Sequence, residues 1–469
     1  MDPIPLILLE FNELSPVLMQ RFIRQGELPN FKIMYDESQV FLTDAEEKPP
    51  YLEPWIQWVS VHSGMRYKEH GVFHLGDGFA LKERRIWDLM SERGLRVWIC
   101  GSMNVRYDLP LNGYVLPDPW TQNPPPHPTG LMPYFRFVQR NVQEHTRDRA
   151  PLGALDYIEF LGFMARHGLS PSTIFAILRQ IAAERGRANR WKRAFIMDRL
   201  QFDLFRSVYR RLKPHFSTFF LNSTAHMQHM YWRNLEPELF KRQPAAAEQE
   251  EFRHAVLLGY REMDRLIGRF RRLFGAGSII IFCTALSQQP CLIYEEGLGG
   301  KVVYRPRDFE ALLAFAGING RHRVEPVMAG EFHVYFENER EATEARQRLL
   351  DLRVGEQRVQ HVEQKGTDVF GGCIVFEELP ADATLRLAGT DRAAPFFEIF
   401  YRIEGRKSGI HHPDGMLWIR LPDNSHRVHE GKVSLTSIAP TILRMFGVPR
   451  PSTMRGDPLE FGGRPAAAA

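Results

Sequence analysis

At 469 residues, with 44% hydrophobic and 25% charged residues, the chain can bury a full core as one large domain with insertions or as two domains. Its 60 basic residues are nearly balanced by 56 acidic ones, leaving +4, which excludes a protein whose main task is to coat nucleic acid. Four scattered cysteines (Cys100, Cys283, Cys291, Cys373) with no CxxC pair exclude a disulfide scaffold and a Cys-type structural zinc site, and read as buried thiols of a reducing compartment.

The first element is the apolar run Leu6 to Phe11, interrupted only by Glu10. It has no basic n-region and no small-residue cleavage site, so it reads as a strand buried on both faces of a parallel sheet and not as a signal peptide. The turn Asn12-Glu13-Leu14-Ser15-Pro16 follows, then a helix carrying Leu18, Phe22 and Ile23 and ending at Gly26. Asn12 and Glu13 thus stand at the carboxyl end of a strand, where α/β proteins place their ligands. A helix ending at Gly94 precedes the strand Arg96 to Cys100; further strands are expected at Thr218 to Leu221 and Ser278 to Phe282, with a helix over Glu251 to Phe274. This alternation predicts an α/β fold, a mostly parallel sheet sandwiched by helices.

Two stretches break the rhythm. Residues 134–213 are helix-rich, and from Arg185 to Lys213 basic residues interleave with Phe195, Ile196, Phe202 and Phe205. That pattern reads either as a solvated helix face over an apolar stripe or as peripheral membrane contact through 185–213. Residues 301–388 read as a small α+β insertion, with strands at Glu331 to Phe336 and Gly372 to Phe376 and a helix at Glu341 to Leu352. The core is then 1–133, 214–300 and 389–462, and the alanine-rich tail 463–469 is expected to be disordered. No apolar run reaches the roughly 18–20 residues that span a bilayer, so the expected address is cytoplasmic.

Five local patterns occur in order: the opening strand and turn with Gly26-Glu27-Leu28-Pro29-Asn30-Phe31; WVSVHSGMRYKEHGVF (Trp58 to Phe73); AHMQHMYW (Ala225 to Trp232); SGIHHPDGMLWI (Ser408 to Ile419); and VSLTSIAPTILRMFGVPRP (Val433 to Pro451). Together they resemble the alkaline phosphatase superfamily, in particular its type I phosphodiesterase/nucleotide pyrophosphatase branch. The resemblance implies two metal ions, usually zinc, flanking a Thr or Ser nucleophile, so that paired cations neutralise the attacking and leaving oxygens.

Carried over position by position, that site is only partly present. The first-strand Asp is Asn12, the nucleophile position holds Pro54 with Glu53 beside it, and the Asp-His pair after the strand Ser278 to Phe282 is replaced in Cys283-Thr284-Ala285-Leu286. In AHMQHMYW the Asp is Ala225 but the His is kept as His229; in GIHHPDG the His falls on His411, with His412 beside it. His229, His411 and nearby His226 are therefore the candidate ligands of a single zinc. Glu53, Asn12 and His62 are the candidate catalytic groups, and Gln57, Gln228, Thr284 and His412 the candidate substrate-binding groups. Glu10, Glu13, Ser287 and Gln288 join the same polar set, and a cleft kept this polar points to a ligand. Two readings follow. One is a hydrolase or transferase for a phosphate or related ester with at most one metal. The other is an inactive relative binding an anionic, glycan- or lipid-linked small molecule, or a protein partner.

Overall fold

The computed structural model describes residues 3–121, 123–144, 152–184, 189–326, 330–403 and 406–461. Arg185, Arg187 and the tail 463–469 lie outside them. Strand β1 (Leu6–Phe11) sends Leu6 and Leu8 into one apolar cluster and Ile7, Leu9 and Phe11 into another, which is why its sequence is apolar at nearly every position. It lies between β5 (Phe216–Leu221) and β6 (Ile279–Cys283), parallel to both. With β2 (Ser38–Asp44), β3 (Val97–Cys100) and β4 (Gly113–Leu116) these form an eight-stranded sheet. Its order is the strand Arg427–Ser434, β2, the strand Asp414–Arg420, β6, β1, β5, β3, β4. Among the described residues only Asp414–Arg420 runs against the rest. The α/β architecture read from the alternating pattern is the one present.

One face of the sheet is covered by helices Pro16–Arg24, Arg193–Leu212 and Ala255–Phe274. The other is covered by Pro54–Ser63, Ile86–Glu92 and Ile438–Met445. The expected single helix over Glu251 to Phe274 is two, Ala246–Phe252 and Ala255–Phe274, because the chain leaves helical geometry at His254 (φ −107°, ψ 5°). The helix-rich stretch folds as Met132–Glu144, Ala154–Arg166, Pro171–Ala183 and Arg193–Leu212. In the last of these Leu200, Phe202, Leu204 and Phe205 pack into the first cluster, and Phe205 sets its ring 5.3 Å from Phe219 and 5.4 Å from Phe270.

A third apolar cluster reaches from Val302 to Phe400. It joins a four-stranded antiparallel sheet containing Glu331–Phe336 and Asp368–Cys373 to the helix Glu339–Leu350, whose first turn is capped by Asn338. This unit touches the main body where His333 and Phe370 pack on His74. Among the described residues no helix is long and apolar enough to cross a membrane.

Candidate metal centre

Three neighbouring strands end at the same edge of the sheet and deliver polar residues there: β1 leads into Asn12 and Glu13, β5 into Asn222, and β6 into Thr284. Glu13 adopts φ +60°, the left-handed region. A non-glycine residue held there costs on the order of 1–3 kcal/mol, so the surroundings must fix it. Gln228 Nε2 donates to the Glu13 carbonyl at 2.7 Å, and Glu13 N donates to the Thr284 carbonyl at 3.2 Å. The Gln228 Oε1 accepts from Tyr260 Oη at 2.7 Å and from Ser15 N at 3.3 Å, so Gln228 braces the turn. Thr284 also ties the turn to a neighbouring strand, its Oγ1 accepting from Met416 N at 2.9 Å.

Two histidines meet the Glu13 carboxylate. His229 lies on the helix Ser223–Leu235, which is kinked at Tyr231 (φ −125°). Ser408 enters the helix ladder there, donating N–H to the His229 carbonyl at 2.8 Å while its Oγ accepts from Trp232 N at 2.9 Å. His411 arrives on the strand Gly409–His412, paired antiparallel with β7 (Ser287–Pro290). Gly409 lets this strand approach: a Cβ there would lie 2.6 Å from the Gln228 carbonyl oxygen.

The rings of His229 and His411 are 5.1 Å apart, and one donor atom from each of Glu13, His229 and His411 lies within 4.8 Å of the other two. Both Nε2 atoms face the same carboxylate oxygen, Glu13 Oε2, at 3.0 Å from His229 and 3.3 Å from His411. Both Nδ1 atoms point outward, His229 to the Gly409 carbonyl at 2.9 Å and His411 to Glu53 Oε2 at 3.4 Å. A carbonyl only accepts, so His229 Nδ1 carries a proton. Its Nε2 can then face a carboxylate only if it is protonated too or if a cation lies between them. Two imidazoles with acceptors behind them and one carboxylate fit a zinc-type ion with open positions.

Gln288 Nε2 donates to Glu13 Oε2 at 2.5 Å, while its buried Oε1 and that of Gln57 have no hydrogen-bond partner among the described residues. Each such acceptor costs on the order of 1–3 kcal/mol, which a ligand donating to it would offset.

Burial pushes the Glu13 carboxyl up, but His411 and His229 outweigh it and hold the group well below the usual carboxylate range. Burial also lowers His229, whereas Glu13 and Glu53 overcome burial at His411 and raise it. Glu53, the N-cap of the helix Pro54–Ser63, makes no capping bond and is raised by burial. Lys407 acts electrostatically on Glu53, His229 and His411 from the side of the small unit. Burial and the Glu53 charge push Glu331 of that unit up to about 7, and burial and Lys407 pull Lys301 down to about 8. A cleft of about 490 Å³ opens beside His411, lined mainly by apolar residues such as Leu52, Leu292, Ile293 and Ile410, with Glu47, Lys48 and Gln289 also in its wall.

The remaining sequence candidates fall elsewhere. His226 is exposed on the first turn of its helix and is not in the cluster; the third donor is Glu13. His62 is buried with its Nε2 2.8 Å from Glu10 Oε1 and its ring against Trp87, so it stiffens the layer beneath the sheet and does not face the cluster's carboxylate. Asn12 Oδ1 is taken by Trp58 Nε1 at 2.8 Å, and its Nδ2 donates to Glu13 Oε1 and Asn222 Oδ1, each at 2.7 Å. It therefore positions Glu13. Gln57 Nε2 donates to the Tyr51 carbonyl at 2.9 Å, and His412 Nδ1 accepts from Asp414 N at 3.2 Å. Sequence reasoning did not assign Lys407 or give Glu13 a ligand role. The only signal for Glu13 was a carboxylate directly after a strand-end amide.

No protein-family model matches the chain, and no curated protein matches it. Similar solved structures span nearly its whole length. Phosphonoacetate hydrolase from Sinorhizobium meliloti 1021, in complex with phosphonoformate, is 12% identical with a TM-score of 0.44, over 93% of this chain and 94% of that one. Human ectonucleotide pyrophosphatase/phosphodiesterase 5 is 8% identical with a TM-score of 0.40, over 95% of each chain. Alkaline phosphatase PafA is 11% identical with a TM-score of 0.46, over 97% of this chain and 98% of that one.

Proposed function

We propose that the chain is an alkaline phosphatase-like hydrolase or transferase for a phosphate or related ester, with a site rebuilt around one divalent cation. The observation that carries this reading is the convergence of His229 Nε2 and His411 Nε2 on one oxygen of Glu13, with both Nδ1 atoms engaged behind. Two imidazoles and a carboxylate suit zinc. An ion bound there would supply Lewis acidity to a phosphoryl oxygen.

The other groups bind, orient and move protons. Lys407 draws the anionic part of the ligand toward the triad. Glu53, whose carboxyl is held above its usual range, exchanges a proton with the attacking water or the leaving oxygen. The apolar cleft beside His411 receives a non-polar substituent, which favours a small anionic ester carrying a lipid-like or other non-polar group. The cytoplasm is the proposed address on cysteine usage alone.

One observation favours the second reading, an inactive relative that binds the same ligand: Pro54 stands where the resemblance places the hydroxyl nucleophile. Turnover separates the two. Repeated hydrolysis of bis(p-nitrophenyl) phosphate, abolished by His411→Ala, is the expected result. Ion-loaded protein without turnover on aryl diesters or monoesters identifies the inactive relative, and activity unchanged in His229→Ala removes the proposed site.

A further inference from the structure

The helices Ala154–Arg166 and Pro171–Ala183 follow one another, and each buries only part of its circumference. In the first, Phe160, Phe163 and Met164 face the core while Leu155 (81% exposed), Ile158 and Leu161 face solvent. In the second, Thr173 and Ala176 face inward while Ile174, Phe175 (67%), Leu178 (60%) and Ile181 (63%) are exposed at helical spacing. The exposed sides carry few charges, namely Glu159, Arg166 and Arg179. A soluble monomer rarely leaves that much apolar surface on one segment without a use for it.

A second feature adjoins these helices. A cleft of about 230 Å³ is lined by Arg199, Arg265, Arg269 and Arg272 against a single acid, Glu262. Arg269 reaches out of it to donate to Ser172 Oγ at 3.1 Å, in the first turn of the second helix. Burial holds Arg269 below its usual range; Arg199 and Arg206 add to this, while Asp203 and Glu262 oppose it. The helix Arg193–Leu212, by contrast, turns its aromatic residues inward and pairs Arg193 with Glu184, Arg199 with Glu262 and Arg206 with Asp203. Among the described residues of 134–213, the exposed large apolar side chains thus lie on the two helices before 185–213 and not within it.

We propose that this region docks on an anionic bilayer: the exposed sides of the two helices enter the interfacial layer, and the arginine cleft receives a lipid phosphate. Charge selects this occupant over a second copy of the chain. A two-fold pairing over the same face would set two basic clefts beside one another, whereas anionic headgroups neutralise them.

The test is co-sedimentation of the full-length protein with vesicles of phosphatidylcholine alone and of phosphatidylcholine with one-quarter phosphatidylglycerol. The expected result is binding about tenfold or more stronger to the anionic vesicles. It should be lost in the Phe175→Glu/Leu178→Glu double variant and weakened by Arg272→Glu, all at exposed positions where the urea midpoint should not move. No binding to either vesicle, equal binding to both, or full binding by the double variant would each overturn the proposal. So would a dimer in sedimentation velocity that the double variant dissolves while vesicles are ignored.

Discussion

Asn12→Asp restores the carboxylate that the resemblance places at the end of the first strand, and the structure indicates that it should damage the protein. Asn12 is 1% exposed. Its Nδ2 donates to the Glu13 carboxylate and to Asn222 Oδ1, both at 2.7 Å, while Oδ1 accepts from Trp58. An ionised carboxyl keeps the Trp58 bond but turns both donated bonds into oxygen–oxygen contacts, one of them with another anion. Losing a charge-assisted bond and a neutral one, with a buried like-charge contact in their place, gives about 3–5 kcal/mol of destabilisation near pH 8. The introduced carboxyl has its pKa raised in the folded state, so the penalty grows as pH rises through the range between its unfolded and folded values. Below that range the proton replaces one donor and most of the loss should vanish. Urea unfolding at pH 5 and pH 8, with chelator present, reads this directly. A variant as stable as the parent at pH 8 without added metal would refute the hydrogen-bond assignment and the positioning role drawn from it.

Other expectations concern separate parts of the molecule. Burial pushes Asp198 up to about 7, against the hydrogen bond it accepts from Ser223. The contribution of Asp198 to wild-type stability should therefore fall as pH rises from about 4 to about 7. Asp198→Asn should remove that loss and gain about 2–4 kcal/mol at pH 8, shrinking toward pH 5; an equal gain at both pH values contradicts the assignment. His226→Ala, at an exposed position outside the cluster, should leave ion content unchanged and shift stability by no more than about 0.5 kcal/mol. Phe205→Ala empties a fully buried site among Phe219, Phe270 and Trp98 and should lower stability by about 3–5 kcal/mol in denaturant unfolding.

The sheet was readable because its central strands are buried on both faces, so Leu6 to Phe11, apart from Glu10, and Ile279 to Phe282 are written as apolar runs. The break at His254 was not readable, since no glycine or proline marks it. His229 and His411 could be found from their motifs, but the third donor could not. Glu13 enters the site through a left-handed backbone conformation, held by Gln228 and Thr284 from distant segments, and no local pattern announces that geometry. Gln228 and Thr284 were visible as polar residues near the site. That they brace the turn depends on tertiary partners such as Tyr260 and Met416.

Metal content tests the central claim most directly. Protein purified without chelator and measured by inductively coupled plasma mass spectrometry should carry about one zinc or other divalent ion per chain, and Glu13→Gln/His411→Ala should carry none. A wild-type chain that is metal-free, and takes up no ion when titrated with zinc, manganese or magnesium, would leave the cluster a histidine–carboxylate ion pair and contradict the account.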